Sequence, residues 1–380
     1  MNRYLKLIIP LFSIMAISCS QSKKSEKLIE SDIGKSNQLD INLGETESFD
    51  PYFRVEKYVA LEVIKEAYFA DIDKLIIHKD IIYIMDALVK KKVFAFDING
   101  DFIRSYGAIG DAPGEYQKLT DFEVAENGDV QILDRQQKKI HIYNEMGDFK
   151  ISKITDFRAE AFKILDDGYL FSLVPYSMGS DLNPKLIKTD LEFNVLQSFF
   201  NYSIDFKDLK GDFNILKDAG DLVLYHKPVN DSIFLFDSEG ALTQSINIDF
   251  NNKKVPEELK NDFSILVEKQ SNSDFLYFSQ PPILFNEILL GHIYEGGNKG
   301  VLIIDVENRK SKRKVFKPNK MDHTLMEFPV YNWKDSLLVS YVDIDIIEND
   351  VNKDLFPEEF KNYIKKHNGL GLVFSSFGSD

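Results

Sequence analysis

The chain has 380 residues, 44% apolar, 28% charged and 13% aromatic, with a formal net charge of -15; this is the make-up of a globular chain rich in strand-forming residues. That charge argues against a nucleic-acid partner, which needs a basic face, and gives no attraction to anionic headgroups. The single cysteine, Cys19, rules out an internal disulfide and a metal site built from cysteines.

Residues 1–18 read as a signal peptide. Arg3 and Lys6 form its charged start, and Leu7 to Ile17 is an apolar run too short to span a bilayer comfortably. Ala16, Ile17 and Ser18 then lead into Cys19, an arrangement that resembles a lipobox, in which the cysteine thiol is acylated and becomes the mature N-terminus. Residues 19–46 are expected to be the acylated cysteine and a flexible polar tether without periodicity, and 47–380 the folded domain. Such a tether spans roughly 30 Å r.m.s.. No other segment is apolar enough to cross a bilayer. Ser20 is not the acid that retains some lipoproteins at the inner membrane, and Ser20–Lys24 lacks the acidic run associated with surface export. The expected location is the outer membrane, facing the periplasm.

Phe53–Leu61 reads as a strand standing before a repeat. From about residue 72 one pattern recurs: an apolar strand, a tight polar turn, and a second strand ending in Asp (Asp86, Asp134). A lysine-rich loop, a third strand, a turn ending in Gly (Gly100, Gly147) and a fourth strand follow. Weaker copies carry first-to-second-strand turns at Asp166-Asp167-Gly168, Asp218-Ala219-Gly220, Asn286-Glu287 and Lys334-Asp335, where Gly, Asn and Asp suit hairpin geometry. Six units start near residues 72, 120, 160, 212, 283 and 328, a spacing of roughly forty to fifty residues, the length of a four-stranded blade. The predicted fold is all-β, a six-bladed β-propeller of four-stranded blades with one or two short peripheral helices. Those helices are expected at Val255–Gln270 and Phe356–His367, each opening with Pro-Glu-Glu. Leu370–Phe377 is the last strand. Ring closure places it in the same blade as Phe53–Leu61, or in one touching it.

Tyr106–Tyr116, YGAIGDAPGEY, carries Gly107, Gly110, Pro113, Gly114, Glu115 and Tyr116. This resembles the glycine-rich Pro-Gly-Glu-Tyr signature of six-bladed β-propeller lipoproteins of Bacteroidota, relatives of the NHL-repeat propellers. Asp111-Ala112 departs from the pattern, as does Asn368-Gly369 where the family has Asn-Pro. The resemblance covers roughly residues 47–380 and implies the fold and a lipoprotein context, not an activity. The motif lacks the Lys-Ser/Thr and the following helix of a phosphate-binding P-loop, so its expected role is structural, with Glu115 and Tyr116 tying adjacent blades together.

In a four-stranded blade the second-to-third-strand loops share one face with the interblade connections, and function gathers where loops vary. The candidate ligand-binding residues on that face are Lys91, Arg135, Tyr176, Lys227 and Tyr294. Six histidines show no His-x-His or His-x-x-x-His spacing, and the acidic run Asp343, Asp345, Glu348, Asp350 lacks the glycine of a calcium loop. It reads as a solvated edge. No Gly-x-Ser-x-Gly occurs. The expected function is therefore binding or scaffolding by a monomeric lipoprotein. Its partners would be the membrane, through the lipid, and envelope proteins, peptides or glycans. The alternative is a metal-dependent lyase or hydrolase acting at the ring axis. No cofactor is predicted, and a divalent metal at the axis is left open.

Overall fold

Each repeat unit folds as an antiparallel meander because its alternating strands can bury apolar side chains only against the next unit. The structure, a computed structural model, describes residues 29–30, 37–43, 53–178, 183–203, 206, 215–316, 329–333, 336–348 and 355–377. Cys19, the signal peptide and the Lys334-Asp335 turn lie outside the described residues. Three strands precede the repeat: β1 (Ile29–Glu30), β2 (Asn37–Asn42) and β3 (Phe53–Ala60). The first blade is β4 (Lys74–His78), β5 (Ile81–Asp86), β6 (Lys92–Asp97) and β7 (Phe102–Tyr106). A two-residue parallel ladder, β8 (Ala108–Ile109) with β9 (Glu115–Tyr116), leads to the second blade. That blade is β10 (Leu119–Val124), β11 (Val130–Asp134), β12 (Lys139–Tyr143) and β13 (Phe149–Ile154). The third blade is β14 (Ala159–Ile164), β15 (Gly168–Leu173), β16 (Pro184–Asp190) and β17 (Val195–Asn201). The fourth is β18 (Leu216–Ala219), β19 (Leu222–Tyr225), β20 (Ser232–Phe236) and β21 (Leu242–Asp249).

The fifth blade has a broken inner strand. Both β22 (Leu276–Phe278) and β23 (Ile283–Phe285) pair with β24 (Ile288–Glu295), which continues into β25 (Asn298–Asp305) and β26 (Lys310–Val315). The sixth blade runs β27 (Tyr331–Trp333), β28 (Leu337–Val342), β29 (Gly371–Phe377) and then β3 from the other end of the chain. Gly371 opposes Ala60 and Phe377 opposes Phe53, so the expected pairing of the two terminal segments holds.

The recurrent polar residues have repeated jobs. Asp86, fully buried, accepts from Val89 N at 2.8 Å and Lys90 N at 3.0 Å across its own loop, and from Ala70 N at 2.9 Å in the incoming connection. Asp134 does the same with Gln136, Gln137 and Gln117. At the third-to-fourth-strand turns, the side chains of Asp97, Asn144, Asp190 and Asp237 each accept two backbone N–H bonds of 2.8 to 3.1 Å. These are Asx turns, which mimic a backbone turn with a carboxylate or amide.

The innermost strands β4, β10, β14, β18, β23 and β27 touch in that order, and β27 returns to β4. Six apolar clusters fill the six blade-to-blade interfaces. The closing one joins Val59 and Leu61 to Leu75, Phe94, Val339, Leu372 and Phe374.

One boundary differs from expectation. The segment 19–46, expected to be a tether without periodicity, supplies two edge strands: β1 runs parallel to β17 and β2 parallel to β21. Leu39, Ile41 and Leu43 pack into the core between the fourth and fifth blades. Asn37–Leu43 alternates polar and apolar residues over too few positions to stand out beside its polar surroundings, yet each apolar side chain meets the core. The unexpected strand covers an edge of the fourth blade.

Four α-helices are present among the described residues: α1 (Glu257–Lys260), α2 (Phe263–Gln270), α3 (Ile344–Glu348) and α4 (Glu358–His367). The expected helix at Val255–Gln270 is broken in two at Asn261–Asp262, where Asp262 caps α2 through Ile265 N. The acidic run is solvated as expected where it is described, Asp345 and Glu348 being exposed; it also begins α3, where Asp343 accepts from Ile346 N at 2.9 Å and Ile347 is buried against α4 and the sixth blade, while Asp350 lies outside the described residues.

Candidate functional site

The inner strands carry charged residues into the middle of the ring. Asp121 and Glu123 alternate with Phe122 on β10 and so share one side of it. Lys74 of β4 reaches both, at 2.8 Å to Asp121 and 2.6 Å to Glu123. Lys163 of β14 reaches Glu123 at 2.9 Å and Asp218 of β18 at 2.7 Å. Asp121 also accepts from the backbone N–H of Phe122 and, across the interface, of Phe162, both at 2.9 Å. Four blades-worth of strand are thus joined at the axis by one chain of ion pairs.

Burial opposes charge on Lys163, but Asp218 and Glu123 hold its ammonium above the ordinary lysine range. Asp218 is likewise held below the usual carboxylate range, against its enclosure, chiefly by Lys163. Of these pairs Lys163–Glu123 is the buried one, and a buried pair is costly to break once one partner is removed.

Lys217 is the exception. Its Nζ donates to the carbonyl of Pro281 at 2.7 Å, in the interrupted inner strand of the fifth blade. Burial alone draws its pKa down to about 7. A cavity of about 10 Å³ lies beside it, lined among others by Lys74, Lys163, Asp218, Tyr331 and Asn332, space for about one water.

The five loop-face candidates fall on five blades. Lys91 is exposed, with a φ of 54°, and its carbonyl accepts from Tyr116 Oη at 2.9 Å. Arg135 is half-buried, its N–H directed to Thr120 Oγ1 at 3.3 Å. Tyr176 is 55% exposed. Tyr294 belongs to strand β24 and packs on Tyr277 at 5.8 Å between ring centroids. Lys227 is buried; it pairs with Glu160, donates to Tyr202 Oη at 2.5 Å and lies 4.9 Å over that ring.

The glycine-rich segment connects the first two blades. Glu115 accepts from Ala112 N at 2.9 Å, and buried Tyr116 also donates toward Tyr106 O at 3.3 Å. Tyr143 of the second blade donates to Gly114 O. Gly107 and Gly114 have φ of +63° and +83°, and a Cβ at either would press on a ring, that of Tyr116 or Phe149. Gly110 leaves room for the Glu115 carboxylate, and Pro113 sits in the same bend.

The axial residues were not singled out from sequence. The sequence pattern puts Asp218 in a turn, whereas it lies in β18 and the turn falls at Gly220-Asp221. A usable signal exists: charged residues interrupt the otherwise apolar first strand of several units, in KLIIH, LTDFEV, AEAFKI and LKDA. Among the described residues no group of three or more His, Cys, Asp or Glu is arranged to hold a metal ion.

Residues 40–370 match the family model described as a domain of unknown function, DUF4934. No curated protein matches the chain. Among solved structures, a Bacteroides fragilis protein described as exported is similar at 15% identity and a TM-score of 0.74, over 90% of this chain and 100% of its own. A DUF4221-family member from Bacteroides vulgatus is similar at 12% identity and a TM-score of 0.52, over 87% of this chain and 99% of its own. Likeness at these identities carries the fold.

Proposed function

This chain belongs to the DUF4934 family, and from that premise we propose that it is a cell-envelope lipoprotein whose six-bladed ring binds or scaffolds a ligand without transforming it. Acylation at Cys19 would hold the ring at the outer membrane on its periplasmic side. The partners would be envelope proteins, peptides or glycans, met through Lys91, Arg135, Tyr176 and Tyr294, with Lys227 buried against Glu160.

One observation carries the reading: the acids at the axis are engaged in holding blades together. Asp121, Glu123 and Asp218 each face a lysine ammonium within 2.9 Å. A carboxylate so paired is a poor general base, since taking a proton would break an ion pair in a desolvated setting. The similar Bacteroides fragilis protein is described as exported, which supports export here, and no helix among the described residues is long and apolar enough to cross a membrane. The test is titration of the purified chain with envelope peptides and with glycans, following melting temperature and ligand integrity. A saturable shift with the ligand recovered intact is expected. Conversion of any ligand into product would overturn the reading.

A further inference from the structure

We propose that the ring meets the lipid bilayer at the outer corner of its second and third blades, at the end that carries the turns between third and fourth strands, with Ile151, Leu191 and Leu196 against the lipid. This rests on the acylation of Cys19 read above and adds which surface that anchor brings to the membrane.

The path of the chain decides the face. The fourth strand of a blade runs from the turn after its third strand toward the connection to the next blade. β1 is parallel to β17 and β2 is parallel to β21, so the chain enters each of them from the turn-bearing end. Ile29 pairs with Gln197 and Asn37 with Gln244, each two residues past the start of its partner strand. The second of these strands is firmly seated: Ile41 and Leu43 are in the core, Asn247 Nδ2 donates to Asp40 Oδ1 at 3.2 Å, and Leu43 N donates to Asp249 O at 3.1 Å. Ile29 follows Cys19 by ten residues, a reach of at most ~33–36 Å. Asn201, at the far end of β17, stands roughly 14 Å further along that strand than Gln197. The corner that the anchor reaches first is the turn-bearing one.

The chemistry of that corner agrees. Ile151, Leu191 and Leu196 are 46 to 52% exposed. Leu191 lies in the turn between β16 and β17, and Leu196 stands beside Gln197 at the start of β17. Ile151 is on β13, on the same side as Lys153. Lys153 Nζ donates to Leu191 O at 2.9 Å and lies 5.7 Å over the Phe193 ring, which ties the outer strand of the second blade to the turn of the third. Asp190 and Glu192 share this turn, so the attraction is apolar and not electrostatic. Such a contact adds to a lipid anchor, since membrane affinity grows with the apolar area buried. Leu88 and Val89, between β5 and β6, are exposed too, but at the opposite end of the blades. Apolarity alone would not choose between the two ends; the path of the chain does.

The experiment places the full lipidated chain in phosphatidylcholine vesicles that carry an acceptor dye on the lipid headgroup. The acyl anchor occupies the Cys19 thiol, so a donor dye attaches only at an introduced cysteine. Glu192→Cys marks the turn-bearing corner, and Asp156→Cys marks the connection between the second and third blades at the opposite end; both side chains are exposed. Energy transfer to the bilayer should be at least about twofold greater from the Glu192→Cys label, since about one strand length, roughly 24 Å, separates the two positions. Adding Ile151→Ser, Leu191→Ser and Leu196→Ser should bring that transfer down toward the Asp156→Cys value, with the chain still floating with the vesicles. A wild-type chain that does not float overturns the anchor and this orientation with it. A chain that floats but gives equal transfer from both labels, or more from Asp156→Cys, overturns the orientation and leaves the anchor standing. Unchanged transfer after the three serine substitutions overturns the apolar contact. The comparison of the two labels alters none of those three side chains, so it reports even if their joint replacement misfolds.

Discussion

Replacing Leu372 by Ala tests how the ring is closed. Leu372 is fully buried in β29, in the cluster that joins the sixth blade to the first. Its neighbours there include Val59 and Leu61 from the start of the domain and Phe94 and Phe96 from the first blade. Backbone pairing to β28 on one side and β3 on the other fixes the strand, Leu372 lying opposite Tyr341 and Val59. The site can therefore collapse little, and the substitution should cost about 3–5 kcal/mol, the upper part of the range for buried leucines. In a domain of this size ~1 kcal/mol moves the melting temperature by roughly 1–2 °C, so the expected fall is roughly 3–10 °C. Leu196→Ala on β17, a side chain 46% exposed, is the matched control and should stay within about 0.5 kcal/mol. Calorimetric melts of the two variants decide the matter. Equal, small losses in both would mean that the chain ends share no core, and the six-blade closure would be wrong.

Lys74→Met removes the partner of Asp121 and one of the two partners of Glu123, and should destabilise by about 3–5 kcal/mol in urea melts. Gly114→Ala places a Cβ 2.7 Å from Phe149 at a φ of +83°, and should lose more than about 1 kcal/mol; Gly220→Ala, with open space around it, should lose less. For pH, Lys217 has a folded pKa near 7 against an ordinary 10.5. Between these values the unfolded chain binds more protons, so stability rises with pH through that window, and Lys217→Met should flatten the rise in denaturant melts. His226 shifts from 6.5 to about 4, so its contribution is lost as pH falls from 6.5 to 4, and His226→Phe should lessen the acid loss.

The ring was legible in the sequence because each blade repeats the same local grammar. Apolar strands end in a loop-capping Asp such as Asp86 or Asp134, and hairpins turn on Asx residues and glycine. Those signals lie within a few residues of one another, so a single chain shows them. The pairing of β3 with β29 was legible from closure alone. The β2 edge strand was not, since Leu39, Ile41 and Leu43 are three apolar residues in a polar stretch and only the facing β21 gives them meaning. The axial ion pairs were hidden for a related reason. Lys74, Asp121, Glu123, Lys163 and Asp218 come from four units, and nothing within any one strand says that they meet. Lys227 shows the converse: a loop position suggested exposure, while Glu160 and Tyr202 from the third blade enclose it.

The lipid anchor is the claim on which the cellular reading turns, and fractionation tests it most directly. Cells making the wild-type chain or Cys19→Ser are lysed, the membranes washed in high salt, and the protein followed together with incorporation of a labelled fatty acid. Wild type should remain with the membranes and carry the label, because a thioether-linked diacylglycerol with a further acyl chain holds where one chain would not. Cys19→Ser should appear in the soluble fraction, unlabelled, with an unchanged melting temperature. Retention of Cys19→Ser in salt-washed membranes would contradict the account.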